Sequence, residues 1–219
     1  MKKVSDSTVS RLSLYLRLLL EVQDAGAATI SSEDLARRSG TTAAQVRKDL
    51  SAFGTFGKRG MGYSVPALVG QLRSILGLEQ TWNVALVGAG KIGAALFAYP
   101  DFRRQGFHIR AVFDSDERKV GQSWNGLQIR ADEDLESAIA EEAIDIVIVA
   151  VPADAAQRVV DRAVRAGIRG VLNFAPTKLR VPDDVALKSV NMAVEMEGLS
   201  YALARRSRVR RSPRKPADG

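Results

Sequence analysis

The chain has 219 residues, 46% of them hydrophobic, which is enough to bury the core of one large domain or two small ones. It contains no cysteine, so disulfides, thiolate metal sites and thiol catalysis are excluded, in agreement with a reducing cytoplasm. Arg11 and Arg17 interrupt the apolar residues of segment 1–22, which therefore predicts neither a secretion signal nor a membrane span. We expect a cytoplasmic protein with no membrane partner.

Charge is distributed unevenly along the chain. Residues 1–80 carry 11 basic and 7 acidic residues, residues 81–204 carry 14 and 17, and residues 205–219 carry 7 and 1. The mildly acidic middle is typical of a domain that binds a metabolite, whereas the two basic ends are suited to a polyanion.

The first eighty residues predict a small helical domain. An apolar stripe at helical spacing predicts a first helix over about residues 8–24. The stripe consists of Leu12, Tyr15, Leu16, Leu19 and Val22. The segment SSEDLARRSG predicts a second, short helix, because it has serine at its start, acids in its first turn and glycine beyond its end.

A third helix and a hairpin complete this domain. TTAAQVRKDLSAFG predicts a helix that ends near Phe53, with a capping-box pattern formed by Thr42 and Gln45. Glycines separate the aromatic and basic residues of TFGKRGMGYSV, which predicts a β-hairpin, or wing, with Lys58 and Arg59 at its tip. VPALVGQLRSILGL predicts a closing helix. Together these elements predict a winged helix-turn-helix DNA-binding domain over residues 1–78.

The third helix is the one that would enter the major groove of DNA. Gln45, Arg47 and Lys48 are predicted on its exposed face, with Val46 and Leu50 turned inward. Glutamine and arginine read base edges, whereas lysine more often contacts phosphate. The alternative is a solvated basic face without a nucleic-acid partner.

From Thr81 onward, apolar strands alternate with amphipathic helices. The runs NVALVG, IRAVFD, IDIVIVAVP and GVLNFAP predict a parallel sheet that is covered on both faces. The fold class is therefore α/β, with a Rossmann-like domain over residues 79–192 after the winged helix. A C-terminal helix is predicted over residues 193–205, and residues 206–219 are too charged to bury a core and predict a basic disordered tail.

The segment GAGKIG indicates which ligand the second domain binds. It follows a strand and opens a helix, and Asp114 stands at the end of the next strand, as in dinucleotide-binding proteins. Gly88 allows a tight turn, Gly90 lets the backbone approach a pyrophosphate, and Gly93 permits close helix packing. A carboxylate at the adenosine ribose favours NAD(H) over NADP(H), although the neighbouring Arg118 and Lys119 weaken that preference. A Rossmann-like fold with an unused or CoA-type site is the alternative.

The chain lacks the groups that catalysis requires. The sequence shows no Ser/His/Asp set, no metal-ligand cluster and no phosphate-transfer loop, and the single histidine, His108, precedes a predicted strand. We therefore predict no catalytic residues and no metal. A small NAD-dependent oxidoreductase with an accessory DNA-binding domain remains the alternative.

At residues 5–204 the chain resembles the bacterial redox-sensing repressors of the Rex family. The motifs that carry the resemblance are QVRKDLSAFGTFGKRGMGYSV, GAGKIG, VFDSDERKVG, VAVPADAAQ and LNFAP, in this order. The resemblance implies a homodimer that binds palindromic double-stranded operators when NAD+ prevails and releases them when NADH binds. It also implies that the C-terminal helix is swapped into the partner subunit.

The same resemblance assigns site residues. Gln45, Arg47 and Lys48 would lie on the recognition helix, with Lys58 and Arg59 in the wing. The dinucleotide site would comprise Gly88, Ala89, Gly90, Lys91, Ile92, Gly93, Tyr99, Asp114, Lys119, Val151 and Pro152.

A redox-dependent set of three residues is also implied. Arg17 and Tyr99 match its first two members, and the third falls at Asn191, where the family typically has aspartate. Asparagine still forms hydrogen bonds, but it cannot form an ion pair with Arg17.

Overall fold

The computed structural model describes residues 4–57 and 62–211, with side chains described through Arg205. The chain divides into two units between Thr81 and Trp82, close to the boundary predicted after residue 78.

Helices dominate the first unit. Its elements are α1 (Asp6–Asp24), β1 (Thr29–Ile30), α2 (Ser32–Ser39), α3 (Ala43–Ser51), β2 (Tyr63–Ser64) and α4 (Val65–Ile75). The apolar stripe predicted for α1 is buried, and Tyr15 and Leu19 are completely inaccessible. The core of this unit therefore forms where the helical periodicity places it.

The N-caps of α2 and α3 follow the sequence pattern. Ser31 Oγ accepts the N–H of Asp34 at 3.0 Å, and Thr42 Oγ1 accepts the N–H of Gln45 at 3.2 Å. The reciprocal half of the capping box is replaced, because the Gln45 amide donates to Asp49 Oδ1 at 2.8 Å. A hydrogen bond to this buried carboxylate is charge-assisted, and it is therefore stronger than the bond in which the Gln45 carbonyl oxygen would accept the neutral N–H of Thr42.

The predicted hairpin has a different strand pairing. β2 pairs with β1 in an antiparallel register that aligns Tyr63 with Ile30, and no strand forms at residues 54–57. Gly54 and Gly57 have φ values of 140° and 79°, which interrupt an extended backbone. Residues 58–61, which include the predicted tip at Lys58 and Arg59, lie outside the described residues.

The second unit is built on a seven-stranded sheet. Its elements are β3 (Trp82–Val87), α5 (Lys91–Phe97), α6 (Pro100–Arg104), β4 (Phe107–Asp114), β5 (Ser123–Trp124), β6 (Leu127–Ala131), a 3-10 turn (Asp132–Asp134), α7 (Leu135–Glu141), β7 (Ile146–Val149), α8 (Ala153–Arg165), β8 (Gly170–Asn173), β9 (Ala186–Ser189) and α9 (Met192–Arg211). The strand order is β5-β6-β4-β3-β7-β8-β9, and only β5 runs antiparallel to its neighbour. The predicted parallel sheet is confirmed, with this short edge strand as the exception.

Alternate residues of the central strands enter two separate cores. Val87 and Val149 belong to one core, and Leu86 and Ile148 belong to the other. This explains the continuous apolar runs, because a sheet covered on both faces has no polar side. β5, β6 and β9 were not predicted, since they are short, lie toward the edges and contain polar residues such as Lys188.

Helix α9 extends beyond its predicted end at residue 205. It continues to Arg211, so residues 206–211 are helical and not part of a disordered tail. Arginine favours helix, and the first proline of this segment comes only at position 213. Several large apolar side chains on this helix are 55–67% exposed, namely those of Met192, Val194, Met196, Leu199 and Tyr201.

None of the helices in the described ranges combines the length and the apolar character needed to cross a bilayer. Over the same ranges, no three His, Cys, Asp or Glu side chains are grouped in a way that would hold a metal ion.

Candidate nucleotide cleft and DNA-binding helix

The glycine loop lies at the carboxyl end of β3, in the middle of the sheet. β3 has β4 on one side and β7 on the other, and the chain continues from β3 to β4 in one direction along the sheet and from β7 to β8 in the opposite direction. A crevice opens at such a reversal of strand order, where open α/β sheets bind their ligands. The loop that follows Val87 therefore lies at the position where a dinucleotide is expected.

The three motif glycines differ in what a Cβ at each position would meet. Gly88 has φ +106°, and a Cβ there would collide with the carbonyl oxygen of Ala150. A Cβ on Gly93 would collide with the carbonyl oxygen of Gly88, so helix α5 can approach the loop only because of this glycine. A Cβ on Gly90 would meet nothing within 4 Å. The fold thus requires Gly88 and Gly93, whereas the space in front of Gly90 remains available to a ligand.

Asp114 connects the end of β4 to the glycine loop. Its Oδ2 accepts the backbone N–H of Ala89 at 2.7 Å and the ammonium of Lys119 at 2.9 Å, and its Oδ1 accepts the N–H of Asp116 at 2.8 Å. Burial raises the pKa of Asp114, but these hydrogen bonds, led by that of Lys119, outweigh burial and leave the pKa below its ordinary value. Asp114 is therefore an ionised carboxylate, and one acceptor position on Oδ1 is still available.

These elements enclose a cleft of about 710 Å³. Its lining consists of Val87, Gly88, Gly90, Lys91, Ile92, Asp114, Ser115, Asp116, Lys119, Asp132, Ala150, Val151, Pro152, Ala155, Arg158 and Val159. Lys91 and Arg158 are exposed side chains on this lining, and no described carboxylate forms an ion pair with either of them. Two unpaired cations in a cleft of this size are suited to the charge of a pyrophosphate.

Most of the predicted dinucleotide residues line this cleft, and three do not. Ala89 and Gly93 are buried behind the loop and shape it from within. Tyr99 precedes α6, is 45% exposed and donates its hydroxyl to Asp101 Oδ2 at 3.3 Å. Tyr99 is therefore not part of the lining of this cleft, where its contact with a dinucleotide was predicted.

Sequence reasoning missed several lining residues. Ser115 and Asp116 directly follow Asp114, so their place at the strand end was available as a signal. Asp132 follows β6, which was not predicted as a strand, and Arg158 was read only as part of an amphipathic helix.

The predicted recognition helix is α3. Val46 and Leu50 are buried as expected, and Arg47 and Lys48 are exposed. Arg47 is not without contacts, because its Nη1 donates to Ser32 Oγ at 2.8 Å and to Glu33 Oε1 at 3.1 Å. Both partners belong to α2, so a contact between this guanidinium and DNA would have to replace a weak exposed ion pair.

Asp49 is a buried carboxylate that the sequence did not single out. Arg11 of α1 binds both of its oxygens, at 2.6 and 2.7 Å, and Tyr15 donates its hydroxyl to Oδ2 at 3.0 Å. Burial raises the pKa of Asp49, but the hydrogen bonds from Arg11, Gln45 and Tyr15 lower it by more, so that the carboxylate is ionised. This cluster ties α1 to α3.

Because of this cluster, we expect the free energy of unfolding to fall at alkaline pH. Burial, followed by the bond to Asp49, raises the pKa of Tyr15 to about 12, from 10.0. A raised folded-state pKa gives stability that is fully present below pH 10 and is lost as the pH rises through 12. We expect this group to remove roughly 3 kcal/mol from the free energy of unfolding over that range.

Urea unfolding at stepped pH measures this loss. Tyr15→Phe should abolish the part of the pH dependence that Tyr15 causes, whereas Tyr201→Phe, at a 67% exposed position, should not. If Tyr15→Phe and the wild type lose stability in parallel between pH 10 and 12, the assignment to Tyr15 is wrong.

Two family profiles match the chain. The family described as "Putative DNA-binding protein N-terminus" matches residues 3–51, and the family described as "CoA binding domain" matches residues 79–177. The first match covers α1 to α3, and the second covers the sheet from β3 to β8.

Curated relatives extend over both units. The chain is 47% identical over 203 residues to the redox-sensing transcriptional repressor Rex of Carboxydothermus hydrogenoformans, covering 93% of this chain and 98% of that protein. It is 45% identical over 200 residues to the repressor of the same name from Chloroflexus aurantiacus, covering 91% and 94%. The chain belongs to the Rex family.

Solved Rex structures have the same fold. RSP, a Rex-family repressor in complex with β-NAD+ and operator DNA, matches with a TM-score of 0.90 and 38% identity over 96% of this chain and 97% of that chain. RSP in complex with β-NADH matches with a TM-score of 0.87 and 37% identity over 96% and 99%. The predicted family and the predicted fold class are thereby confirmed.

The residues predicted for the Rex redox-dependent set lie in both units. Arg17 is exposed on α1, and no hydrogen bond or ion pair links it to another described residue. Asn191 Oδ1 accepts the N–H groups of Ala193 and Val194 at 3.0 and 3.4 Å, so this asparagine caps helix α9. Aspartate, the residue that the resemblance implies at this position, caps helices equally well. Asn191 thus provides the same local cap without the charge.

Proposed function

We propose that this chain is a Rex-type transcriptional repressor that binds operator DNA through α3 and releases it when NADH occupies the cleft of the second unit. The observation that carries the proposal is the open space at Gly90 beside the ionised Asp114. A glycine with no protein atom in front of it, at a loop that faces a carboxylate, fits a pyrophosphate and the ribose next to it.

The carboxylate also favours NAD(H) among adenine nucleotides. The adenosine ribose of NAD(H) presents two free hydroxyls. The adenosine ribose of NADP(H) and of CoA carries a phosphate, which would approach the negative charge of Asp114. Lys119 does not reverse this preference, because its ammonium is already bound to Asp114 Oδ2. This supports NADH and NAD+ as the ligands, even though the matching profile of the second unit is described as a CoA binding domain.

A regulatory role is favoured over catalysis. His108 lies near the amino end of β4, whereas the cleft lies at its carboxyl end, roughly 20 Å away along the strand. The cleft contains charged groups that are suited to binding, and no histidine is among its lining residues. We propose that the dinucleotide is a signal for this chain and not a reactant.

The proposal includes a homodimer that acts on DNA in the cytoplasm. Two-fold symmetric proteins bind palindromic DNA, and the exposed apolar residues of α9, such as Met196 and Tyr201, are suited to burial against a second copy. Light scattering on the purified chain would give its mass, and a monomer at micromolar concentration would contradict this part of the proposal.

A titration of operator release against the ratio of NADH to NAD+ tests the function. The operator is first selected by the wild-type protein from a pool of random duplexes, and binding is then measured by mobility shift at fixed total dinucleotide. We expect release as the ratio rises, and a much weaker effect of NADPH. Unchanged operator binding under conditions in which NADH fluorescence shows a fully occupied protein would refute the proposal.

Asn191→Asp is expected to make the response to NADH larger. The variant restores the carboxylate at this position of the redox-dependent set, and it should fold normally because aspartate also caps α9. We expect the ratio between operator affinities without and with NADH to increase several-fold, about the effect of one solvent-exposed ion pair. Asn191→Ser, which caps without charge, is the matched control, and an equal ratio in both variants would contradict the expectation.

A further inference from the structure

The Asp49 carboxylate lies in the recognition helix itself, and all of its acceptor positions are occupied. Asp49 is 3% exposed, and its two oxygens accept four hydrogen bonds. Oδ2 takes Arg11 Nε and the Tyr15 hydroxyl, whereas Oδ1 takes Arg11 Nη2 and the amide nitrogen of Gln45. A carboxylate has about four acceptor positions, so the set is complete.

This arrangement fixes which way the Gln45 amide points. Nε2 donates to Oδ1 at 2.8 Å, and the flipped amide would place its carbonyl oxygen against the same carboxylate. Two acceptors facing each other at a buried charge repel, and Asp49 cannot turn away because Arg11 binds both of its oxygens. Only one of the two amide orientations is therefore compatible with the cluster.

The remaining groups of Gln45 match a particular base. Its Oε1 has no partner among the described residues, and its second amide hydrogen is also available. An acceptor and a donor side by side are what glutamine offers to adenine in the major groove.

We infer that Asp49 is a positioning residue for base recognition, which holds the Gln45 amide so that α3 presents a preset acceptor and donor pair to one adenine of the operator. The inference rests on the proposed function, because it requires that α3 enter the major groove. Arg11 and Tyr15 hold Asp49, Asp49 holds Gln45, and Gln45 contacts the base.

Base preference at each operator position tests this inference. The wild-type protein selects its operator from random duplexes, and affinities are then measured for that operator and for every single base-pair change in each half-site. Gln45→Ala identifies the position that Gln45 reads, where we expect the wild type to prefer A·T by about tenfold. Asp49→Ala, which removes both acceptor oxygens, should reduce that preference to less than about threefold and leave the other positions unchanged.

The double variant and a matched control separate positioning from general damage. Asp49→Ala combined with Gln45→Ala should lose no more preference than Gln45→Ala alone, because both changes remove the same contact. Tyr15→Phe removes a hydrogen bond from Oδ2 and leaves Oδ1 to Gln45, so it should retain the preference. Asp49→Ala with full preference, or with equal loss at every position, would overturn the inference. Failure of the wild type to enrich any sequence would instead overturn the proposed function.

A second measurement does not depend on the folding of Asp49→Ala. Nuclear relaxation of side-chain amides in the free wild-type protein should show Gln45 to be well ordered and Gln71, an exposed glutamine of α4, to be mobile. Equal mobility of the two side chains would overturn the inference, because an amide that rotates freely is not preset.

Discussion

Asp114→Ala is expected to weaken NADH binding by roughly 10- to 100-fold, the usual cost of losing one or two hydrogen bonds to a charged group. The change removes the predicted acceptor of the ribose hydroxyls, and it also releases the N–H of Ala89 in the glycine loop. Operator binding without NADH should be unaffected, since α3 belongs to the other unit. The variant should therefore behave as a repressor that NADH no longer removes.

NADH fluorescence and operator mobility shift, measured on the same samples, check both parts of this result. Asp183→Ala changes an exposed aspartate that does not line the cleft, and it should behave as the wild type. Release of the Asp114→Ala variant at wild-type NADH concentrations would show that the ribose subsite has been placed wrongly.

Gly90→Ala and Gly93→Ala are expected to have different effects although they lie in one loop. An alanine Cβ at position 93 would overlap the carbonyl oxygen of Gly88, so α5 must shift and the free energy of unfolding should fall by about 1–3 kcal/mol. At position 90 the Cβ meets no protein atom, and only the loss of a favourable N-cap lowers stability, by about 1 kcal/mol or less. NADH binding should nevertheless fall more than tenfold in Gly90→Ala, because the methyl group occupies the space of the pyrophosphate.

Thermal unfolding with and without NADH separates these cases. Gly90→Ala should unfold near the wild-type temperature and gain little from added NADH, since a ligand stabilises only a protein that it binds. Full stabilisation of Gly90→Ala by NADH would mean that the open space at this loop is not where the ligand lies.

Features with a local cause were predictable from the sequence. The stripe on α1, the caps at Ser31 and Thr42, and the glycine loop depend on residues close in sequence, and each was found where it was predicted. Long apolar runs likewise predicted the central strands. The short strands β5, β6 and β9 were not predicted. Pairing with neighbouring strands stabilises them, and their own sequences include polar residues.

Contacts between distant residues account for the rest. The sequence correctly placed Gln45 and Arg47 on α3, but it did not indicate that Asp49 holds the first or that α2 holds the second. Arg11 and Asp49 are separated by 37 residues, and no periodicity relates them. Asp114 likewise binds the backbone N–H of Ala89, which is 25 positions away in the sequence.

The contact between Asp114 and Ala89 has a consequence for what the protein can measure. Asp114 and the glycine loop are joined before any ligand arrives, and in the proposed binding mode both face the adenosine diphosphate part, which is identical in NADH and NAD+. Contacts with the shared part strengthen the binding of both redox forms equally, so they cannot make the protein prefer NADH over NAD+. This half of the site thus sets the total dinucleotide concentration at which the protein responds, whereas the threshold in redox potential must come from the contacts of the nicotinamide alone.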